Sequence, residues 1–219
     1  MTSPGAFTEL RASVADTARQ VAARGLVLGS AGNVSVRDGD AVAVTASGLH
    51  LIDATVDDVT VVHLDGHVIE GGLRPTTELE MHLGIYRSTS NSSVVHAHST
   101  STVALSLVTD ELPPVHYQQL LLGGAIPVVP FAAFGSEQLA TSTVEALAHH
   151  NAAILAHHGS VAVGQSPTEA LDRIVLLEWL CEVYLRAAAV RRPRALTPAD
   201  LQAVIEMAIA TQYGEKRRV

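Results

Sequence analysis

The sequence is poor in cysteine, with Cys181 the only one among 219 residues. A single thiol excludes an intramolecular disulfide framework and a cysteine-rich zinc module, so a bound metal would need nitrogen and oxygen ligands. Long apolar runs are also lacking, because prolines or charged residues interrupt them, and the N-terminus lacks the basic-then-apolar order of a signal peptide. We therefore expect a soluble, cytoplasmic protein with no membrane partner.

Positive charge is scarce as well, since 14 Lys and Arg residues face 22 Asp and Glu and leave a formal net charge of −8. This balance argues against nucleic acid or an anionic membrane as the main partner. A Walker-type Gly-Lys-Ser/Thr run is missing, so an anionic ligand would have to be held locally by backbone amides and hydroxyl groups. Linkers and internal repeats are missing too, and a hydrophobic content of 47% suffices for a sizeable core. These features predict one domain over residues 1–219.

Helical and extended patterns alternate along the chain. Apolar spacing and capping residues predict helices over about 7–24, 77–86, 99–108, 136–149, 168–190 and 198–211. Runs of β-prone residues predict strands at 34–37, 41–45, 60–64, 67–70, around 94–98 and at 152–156, of which the first four form two hairpins. Thr77 and Glu80 have the spacing of a helix capping box. The pattern predicts an α/β protein, a single-domain α/β/α sandwich with a mostly antiparallel central sheet.

Three histidines have a spacing that suits metal binding. His96 and His98 are two residues apart on a predicted strand, so their side chains share a face and lie roughly 6.6 Å apart along it. His158 follows another predicted strand and precedes a glycine, so all three imidazoles are expected at one edge of the sheet. One histidine in a strand is more often structural than a ligand, but this combination predicts a metal site.

Other metal-site architectures and other histidines fit less well. A cupin-like all-β site would have a carboxylate soon after the histidine pair, whereas here a hydroxyl-rich stretch and a helical pattern follow. For His82, His116 and His157 we expect structural or supporting roles, and we leave them out of the ligand set.

Seven segments, in order, resemble motifs of the class II aldolase/adducin-head family. They are Gly32-Asn33-Val34-Ser35-Val36-Arg37, Thr45-Ala46-Ser47-Gly48, Arg74-Pro75-Thr76-Thr77-Glu78 with His82, Val94-Val95-His96-Ala97-His98, His116-Tyr117, Phe134-Gly135 and His157-His158-Gly159. Each motif alone is weak, but seven in the family's order over most of the chain are specific. The resemblance implies a metal-dependent lyase that cleaves a short sugar phosphate into dihydroxyacetone phosphate and an aldehyde.

The resemblance also implies a set of metal ligands. His96, His98 and His158 would bind Zn²⁺, with Glu78 as an exchangeable fourth ligand that also serves as the catalytic base. Mn²⁺, Fe²⁺ or Co²⁺ would be accepted by the same imidazole and carboxylate donors. The ion would act as a Lewis acid that neutralises the charge of an enediolate.

Further roles follow from the same resemblance. Tyr117 and, in the C-terminal segment, Tyr213 match catalytic tyrosines, and Tyr213 would serve the site of a neighbouring subunit in a homotetramer with intersubunit active sites. The phosphate would contact Asn33, Ser47, Gly48, Thr76 and Thr77. Where the family commonly has two serines this chain has Thr76 and Thr77, which keep the hydroxyls and add methyl bulk.

Three alternatives remain within this family. Pentulose-5-phosphate 4-epimerases share the metal chemistry but typically have aspartate at the position of Glu78, so the glutamate favours cleavage over epimerisation. Decarboxylases of sugar-acid phosphates share much of the scaffold. Adducin-like heads are non-catalytic interaction modules that have lost the metal ligands, which are all present in this sequence.

Overall fold

The computed structural model describes residues 7–212 and arranges them as a central sheet with helices on both faces. The helices are α1 Thr8–Ala23, α2 Leu79–Ser88, α3 Thr100–Ser106, α4 Glu137–Leu147, α5 Pro167–Ala188 and α6 Pro198–Thr211. The strands are β1 Asn33–Asp38, β2 Ala41–Thr45, β3 Val59–His63, β4 Val68–Glu70, β5 Ser93–Ala97, β6 Glu111–Leu112, β7 Ile126–Val129, β8 Ala152–Leu155 and β9 Gly159–Gly164. Short 3-10 helices occupy Leu51–Asp53, Val56–Asp58 and Tyr117–Leu122.

The sheet is mixed but mostly antiparallel. Its strand order within residues 7–212 is β4-β3-β2-β1-β5-β9-β8-β7-β6. The pair β7–β8 is parallel, and the other neighbouring strands pair antiparallel. The predicted α/β class and both predicted hairpins, β1–β2 and β3–β4, are confirmed. The sequence did not predict the parallel pair β7–β8.

Two hydrophobic clusters, one on each face of the sheet, hold the layers together. Neighbouring residues of β5 alternate between them, with Val95 in the cluster that includes α1 and α5, and Val94 in the cluster that includes α2 and α4. This alternation continues on β9, where Ala162 joins the first cluster and Val161 the second. The central strands are therefore buried on both faces, which explains their nearly continuous apolar sequence.

The predicted capping box at Thr77 and Glu80 is wrong. Helix α2 begins at Leu79, its N-cap residue is Glu78, and among the described residues no side chain caps it. The Thr76 hydroxyl instead accepts a hydrogen bond from the backbone N–H of Glu78, at 3.3 Å. Glu78 does not cap its own helix because its carboxylate lies against the imidazoles of His96 and His158.

Strands β6, β7 and β9 were not predicted from the sequence. Pro127 interrupts the apolar run of β7, and β9 follows β8 after a turn of only three residues. Within residues 7–212, none of the helices has the length and apolar character needed to span a membrane.

Candidate metal centre and active site

Three segments bring the predicted ligands together at one edge of the sheet. His96 is the last residue of β5 that pairs with β1, where its partner is Asn33, and His98 follows the strand directly. His158 lies in the turn between β8 and β9, where His157 has a left-handed φ of 58° that is uncommon for a residue with a side chain. Glu78 reaches the same point from the start of α2.

The close approach of the β8–β9 turn to β5 depends on a glycine. A Cβ atom added to Gly159 would lie 2.2 Å from the carbonyl oxygen of Ala97 and 3.2 Å from the Cα of His98. Any side chain at this position would force the turn away from β5. Gly159 therefore allows His158 to reach the pair His96 and His98.

The four side chains form what we call the ligand group: Glu78, His96, His98 and His158. One ligand atom from each lies within 4.8 Å of all the others. The Nε2 atoms of His96 and His98 are 2.9 Å apart, and Glu78 Oε2 is 3.0 Å from His96 Nε2. Glu78 Oε1 is 3.5 Å from His158 Nε2. The predicted ligands thus converge on one point.

Hydrogen bonds and burial favour the protonation states that bind a cation. His96 Nδ1 donates to the backbone carbonyl of Ser160 at 2.9 Å, which leaves its Nε2 lone pair facing the ligand group. Burial, and then the neighbouring imidazoles, lower the pKa of His98 to about 3 and also lower the pKa of His158. Burial alone would raise the pKa of Glu78, but His96 and the Asn33 amide outweigh it and the pKa of Glu78 falls.

The group therefore fits a divalent cation. Neutral imidazole lone pairs and an ionised carboxylate are all electron donors, and an arrangement in which they face one another calls for a positive charge between them. Glu78 Oε1 is buried and lacks a hydrogen-bond partner among the described residues. Because a buried carboxylate oxygen without a partner is costly, it indicates a ligand atom of a metal site. Three nitrogens and one carboxylate suit Zn²⁺, Mn²⁺, Fe²⁺ or Co²⁺.

A cavity of about 470 Å³ opens beside the ligand group and holds the predicted phosphate contacts. Its lining includes Asn33, Ser47, Gly48, Thr76 and Thr77 together with Glu78, His98 and His158. Backbone pairing brings the two hydroxyl-bearing loops side by side, since Ser47 N donates to Arg74 O at 2.9 Å and Thr76 N donates to Thr45 O at 3.0 Å. An anion in this cavity would meet hydroxyls and amides, as the sequence indicated.

Tyr117, one of the two predicted tyrosines, does not line this cavity. Tyr117 starts the 3-10 helix Tyr117–Leu122, is 39% exposed, and lines a different cavity of about 730 Å³ with residues of α6. Tyr213 lies outside the described residues. Within one chain, the described residues therefore do not place Tyr117 in the cavity of the ligand group.

Sequence reasoning assigned Asn33 to the phosphate and His82 to a structural or supporting role, but it missed the buried polar contacts that join them behind Glu78. Asn33 Nδ2 donates to Glu78 Oε2 at 3.0 Å, and Asn33 Oδ1 is 2.5 Å from His82 Nε2. Ser35 Oγ lies 2.6 Å from His82 Nδ1 and 2.7 Å from the Tyr86 hydroxyl. The sequence spacing could have predicted these contacts, because Asn33 and Ser35 share a strand face. His82 also lies one helical turn from both Glu78 and Tyr86.

A second group of possible ligands, His63, Asp65 and His67, occupies the β3–β4 hairpin. Here the carboxylate pairs with the two imidazoles directly, at 3.2 Å to His63 Nδ1 and 2.6 Å to His67 Nδ1. A backbone hydrogen bond from His67 is the largest cause that lowers the pKa of Asp65 to about 2. The two imidazole rings are stacked, and all three side chains are substantially exposed. A substitution in this exposed hairpin is therefore a suitable control for substitutions in the buried ligand group.

A donor set of three imidazoles and a carboxylate, beside a hydroxyl-lined cavity at the edge of a mixed sheet, defines a protein with a candidate metal site. The chain belongs to the Class II Aldolase and Adducin N-terminal domain family, whose model matches residues 12–185. Its relatives in this family include aldolases, so the chain is an enzyme of the lyase class.

Individual relatives cover nearly the whole chain. A 5-methylthioribulose-1-phosphate/5-deoxyribulose-1-phosphate aldolase of Rhodospirillum rubrum is 33% identical over 205 residues, which are 93% of this chain and 92% of that protein. An L-fuculose phosphate aldolase of Escherichia coli strain K12 is 31% identical over 201 residues, 90% of this chain and 93% of that protein. A solved L-fuculose 1-phosphate aldolase superposes with a TM-score of 0.87 at 26% identity, over 94% of this chain and 97% of that one.

Proposed function

We propose that this chain, as one domain over residues 1–219, is a metal-dependent aldolase that reversibly cleaves a short ketose 1-phosphate into dihydroxyacetone phosphate and an aldehyde. The observation that carries the proposal is the convergence of Glu78, His96, His98 and His158 beside a cavity lined by the five predicted phosphate contacts. A reacting carbonyl and its phosphate would then be held a few ångströms apart, which a short sugar phosphate requires.

Glu78 would carry the proton at the reacting carbon. When bound, a divalent cation held by the three imidazoles supplies the Lewis acidity that neutralises enediolate charge. In the cleavage direction Glu78 returns a proton to the carbon from which the aldehyde has left, and in the synthetic direction it removes that proton. Its Oε2 is held by Asn33, while Oε1 has no hydrogen-bond partner among residues 7–212 and is available for this exchange.

The phosphate would be bound without a lysine or arginine, since neither is in the described cavity lining. Ser47 and Gly48 present a turn whose glycine has a φ of 78°, and Thr76 and Thr77 present two hydroxyls at the approach to α2. Such amide and hydroxyl donors hold a phosphate through hydrogen bonds. The methyl groups of the two threonines would leave less space in the cavity than serines would, so the phosphate would lie close to the threonine hydroxyls.

Tyr117 would act in the site of a neighbouring copy. In the cleavage direction the hydroxyl on the carbon that becomes the aldehyde must lose its proton, and in the synthetic direction the aldehyde oxygen must gain one. Tyr117, which could exchange this proton, lines a cavity separate from the ligand group of its own chain. We therefore propose a homotetramer with intersubunit active sites, in which Tyr117 and Tyr213 complete a neighbour's site. The exposed apolar residues Leu121, Met207 and Ile209 beside Tyr117 support an interface there.

The substrate class is proposed from the relatives. L-Fuculose 1-phosphate, 5-deoxyribulose 1-phosphate and 5-methylthioribulose 1-phosphate, named for the relatives, all end in a group that lacks a hydroxyl at the far carbon. Phe131 and Phe134, exposed at 65% and 71%, line the same cavity and offer apolar surface to such an end. A 4-epimerase or decarboxylase activity on a pentulose 5-phosphate or sugar-acid phosphate is the alternative.

A substrate panel tests the proposal. Protein loaded with Zn²⁺, Mn²⁺, Fe²⁺ or Co²⁺ is incubated with the three ketose 1-phosphates, and dihydroxyacetone phosphate is measured by NADH oxidation with glycerol-3-phosphate dehydrogenase. L-Ribulose 5-phosphate and a sugar-acid phosphate, analysed by NMR, report epimerisation and decarboxylation. We expect dihydroxyacetone phosphate from at least one ketose 1-phosphate. If none appears although the metal is bound, the aldolase proposal is wrong.

A further inference from the structure

A line of buried polar side chains runs away from the cavity behind Glu78. It passes from Glu78 through Asn33, His82 and Ser35 to Tyr86, all of which are at most 5% exposed. Each neighbouring pair is joined by a contact of 2.5 to 3.0 Å. We call these five residues the buried relay. A polar chain of this length inside an apolar layer is costly unless its hydrogen bonds are all made.

The hydrogen bonds of the buried relay can be oriented from its charged end. The carboxylate of Glu78 only accepts, so the Asn33 amide must present its Nδ2 donor to Oε2. Asn33 Oδ1 then faces His82 Nε2 and needs a proton from it. His82 is fully buried, and because burial disfavours the charged imidazolium, it is a neutral imidazole with a single donor.

The far end follows from the same reasoning. With its proton on Nε2, His82 must accept at Nδ1 from the Ser35 hydroxyl. Ser35 Oγ in turn accepts from the Tyr86 hydroxyl. One arrangement of protons therefore gives each of the four contacts of the buried relay one donor and one acceptor. In this arrangement each residue donates to the next, from Tyr86 toward Glu78.

We propose that His82 is a positioning residue of this enzyme, which fixes the Asn33 amide so that Glu78 is held by Oε2 alone and keeps Oε1 directed at the reacting centre. This inference rests on the proposed role of Glu78 as the base. If Asn33 turned over, its carbonyl oxygen would face a carboxylate oxygen, and the repulsion would displace Glu78. His82 prevents this because only Oδ1 of Asn33 can accept from its Nε2.

Two substitutions of His82 separate positioning from simple packing. In His82→Gln the amide Nε2 can still donate to Asn33, whereas His82→Leu fills the space and donates nothing. We expect kcat of His82→Leu to fall by about tenfold or more, with a smaller change in KM, while His82→Gln keeps at least about a third of wild-type kcat. Metal content and folded fraction are measured for both. Equal kcat in the two variants, after correction for these quantities, would overturn the proposal.

A second measurement does not depend on activity. Long-range ¹H–¹⁵N spectra of the metal-free protein distinguish the two imidazole tautomers, and the His82 signals are assigned by their loss in His82→Gln. We expect the Nε2–H tautomer in the wild type and a mixture in Ser35→Ala, in which Nδ1 loses its donor. Thr143→Val, which removes a buried hydroxyl outside the buried relay, is the matched control and should leave the His82 signals and kcat unchanged.

The outcomes distinguish this inference from the proposed function. A wild type that cleaves ketose 1-phosphates but has His82 in the Nδ1–H tautomer overturns the buried relay alone. A wild type that has the Nε2–H tautomer but no activity on any ketose 1-phosphate overturns the aldolase proposal and, with it, the catalytic purpose of the positioning.

Discussion

At the scale of the residue, the carboxylate of Glu78 contacts three side chains, those of Asn33, His96 and His158. Its Oε2 accepts from Asn33, both oxygens lie beside imidazole nitrogens, and Oε1 lacks a hydrogen-bond partner in the described part of the chain. The motif around Glu78 predicted its proximity to the histidines. The position of Glu78 as helix N-cap was not predictable, because Thr77 and Glu80 offered a competing local pattern.

Replacing the carboxylate by an amide should separate metal binding from turnover. Glu78→Gln keeps three imidazole ligands but cannot exchange a proton at neutral pH, so we expect most of the metal to remain and kcat to fall by about 10²-fold or more. Metal analysis and the dihydroxyacetone phosphate assay measure the two quantities. Wild-type kcat in this variant would show that Glu78 is not the base.

Removing an imidazole from the ligand group should abolish both metal binding and activity. His98→Ala takes one of three nitrogen donors from the ligand group, and we expect loss of stoichiometric metal as well as activity. His63→Gln, in the exposed hairpin group, is the matched control and should keep one metal ion per chain and full activity. Retention of metal by His98→Ala together with loss from His63→Gln would assign the ion to the hairpin.

The buried imidazole of His82 should also make the free energy of unfolding depend on pH. Its pKa in the folded chain is about 3, against an ordinary value of 6.5, so between these values the unfolded chain binds a proton that the folded chain does not. The stabilisation is complete above pH 6.5 and is lost as pH falls, by up to about 1.4 kcal/mol per pH unit for this one group. Urea unfolding of metal-free protein at pH 7, 6 and 5 measures it. His82→Gln should have a shallower decline, and an equal slope would contradict the prediction.

At the scale of the element, the sequence predicted most helices to within two or three residues and both hairpins. Apolar periodicity predicted the helices where one helix face is buried, as in α4 and α5. It predicted the hairpins where a turn that contains glycine separates two β-prone runs. It did not predict β9, which is buried along its whole length and follows a turn that contains no typical turn pair. That turn carries His158, so its geometry decides the site.

Gly159→Ala should test this turn. The added Cβ would contact the Ala97 carbonyl oxygen at 2.2 Å, so backbone must move, and we expect a loss of about 1–3 kcal/mol in the free energy of unfolding. Metal affinity should fall as well, since the shift draws His158 away from His96. Gly72→Ala is the control, because a Cβ there meets nothing within 4 Å and its φ is not positive. Urea unfolding and metal titration measure the two effects, and equal behaviour of both variants would contradict the prediction.

At the scale of the whole molecule, sequence motifs predicted the ligand group and the cavity lining, whereas the proposed catalytic role of the tyrosines stays a prediction. Residues of the ligand group come from elements of one chain that the sheet register aligns. The proposed role of Tyr117 depends on how copies would pack, and spacing along one chain carries no information about that packing. The apolar residues of α6, such as Met207 at 64% exposed, are consistent with a surface that another copy covers.

Mixing two inactive variants tests shared sites directly. If each site takes Glu78 from one copy and Tyr117 from a neighbour, then Glu78→Gln and Tyr117→Phe subunits are complementary. Random assembly from equal amounts should make about a quarter of the sites intact, because each site needs the correct residue from two independent subunits. Co-expression with two different affinity tags, followed by tandem purification and the dihydroxyacetone phosphate assay, measures the recovered activity. Assemblies of each variant alone are the controls. Activity no higher than theirs in isolated mixed assemblies would mean that Tyr117 does not complete a neighbour's site.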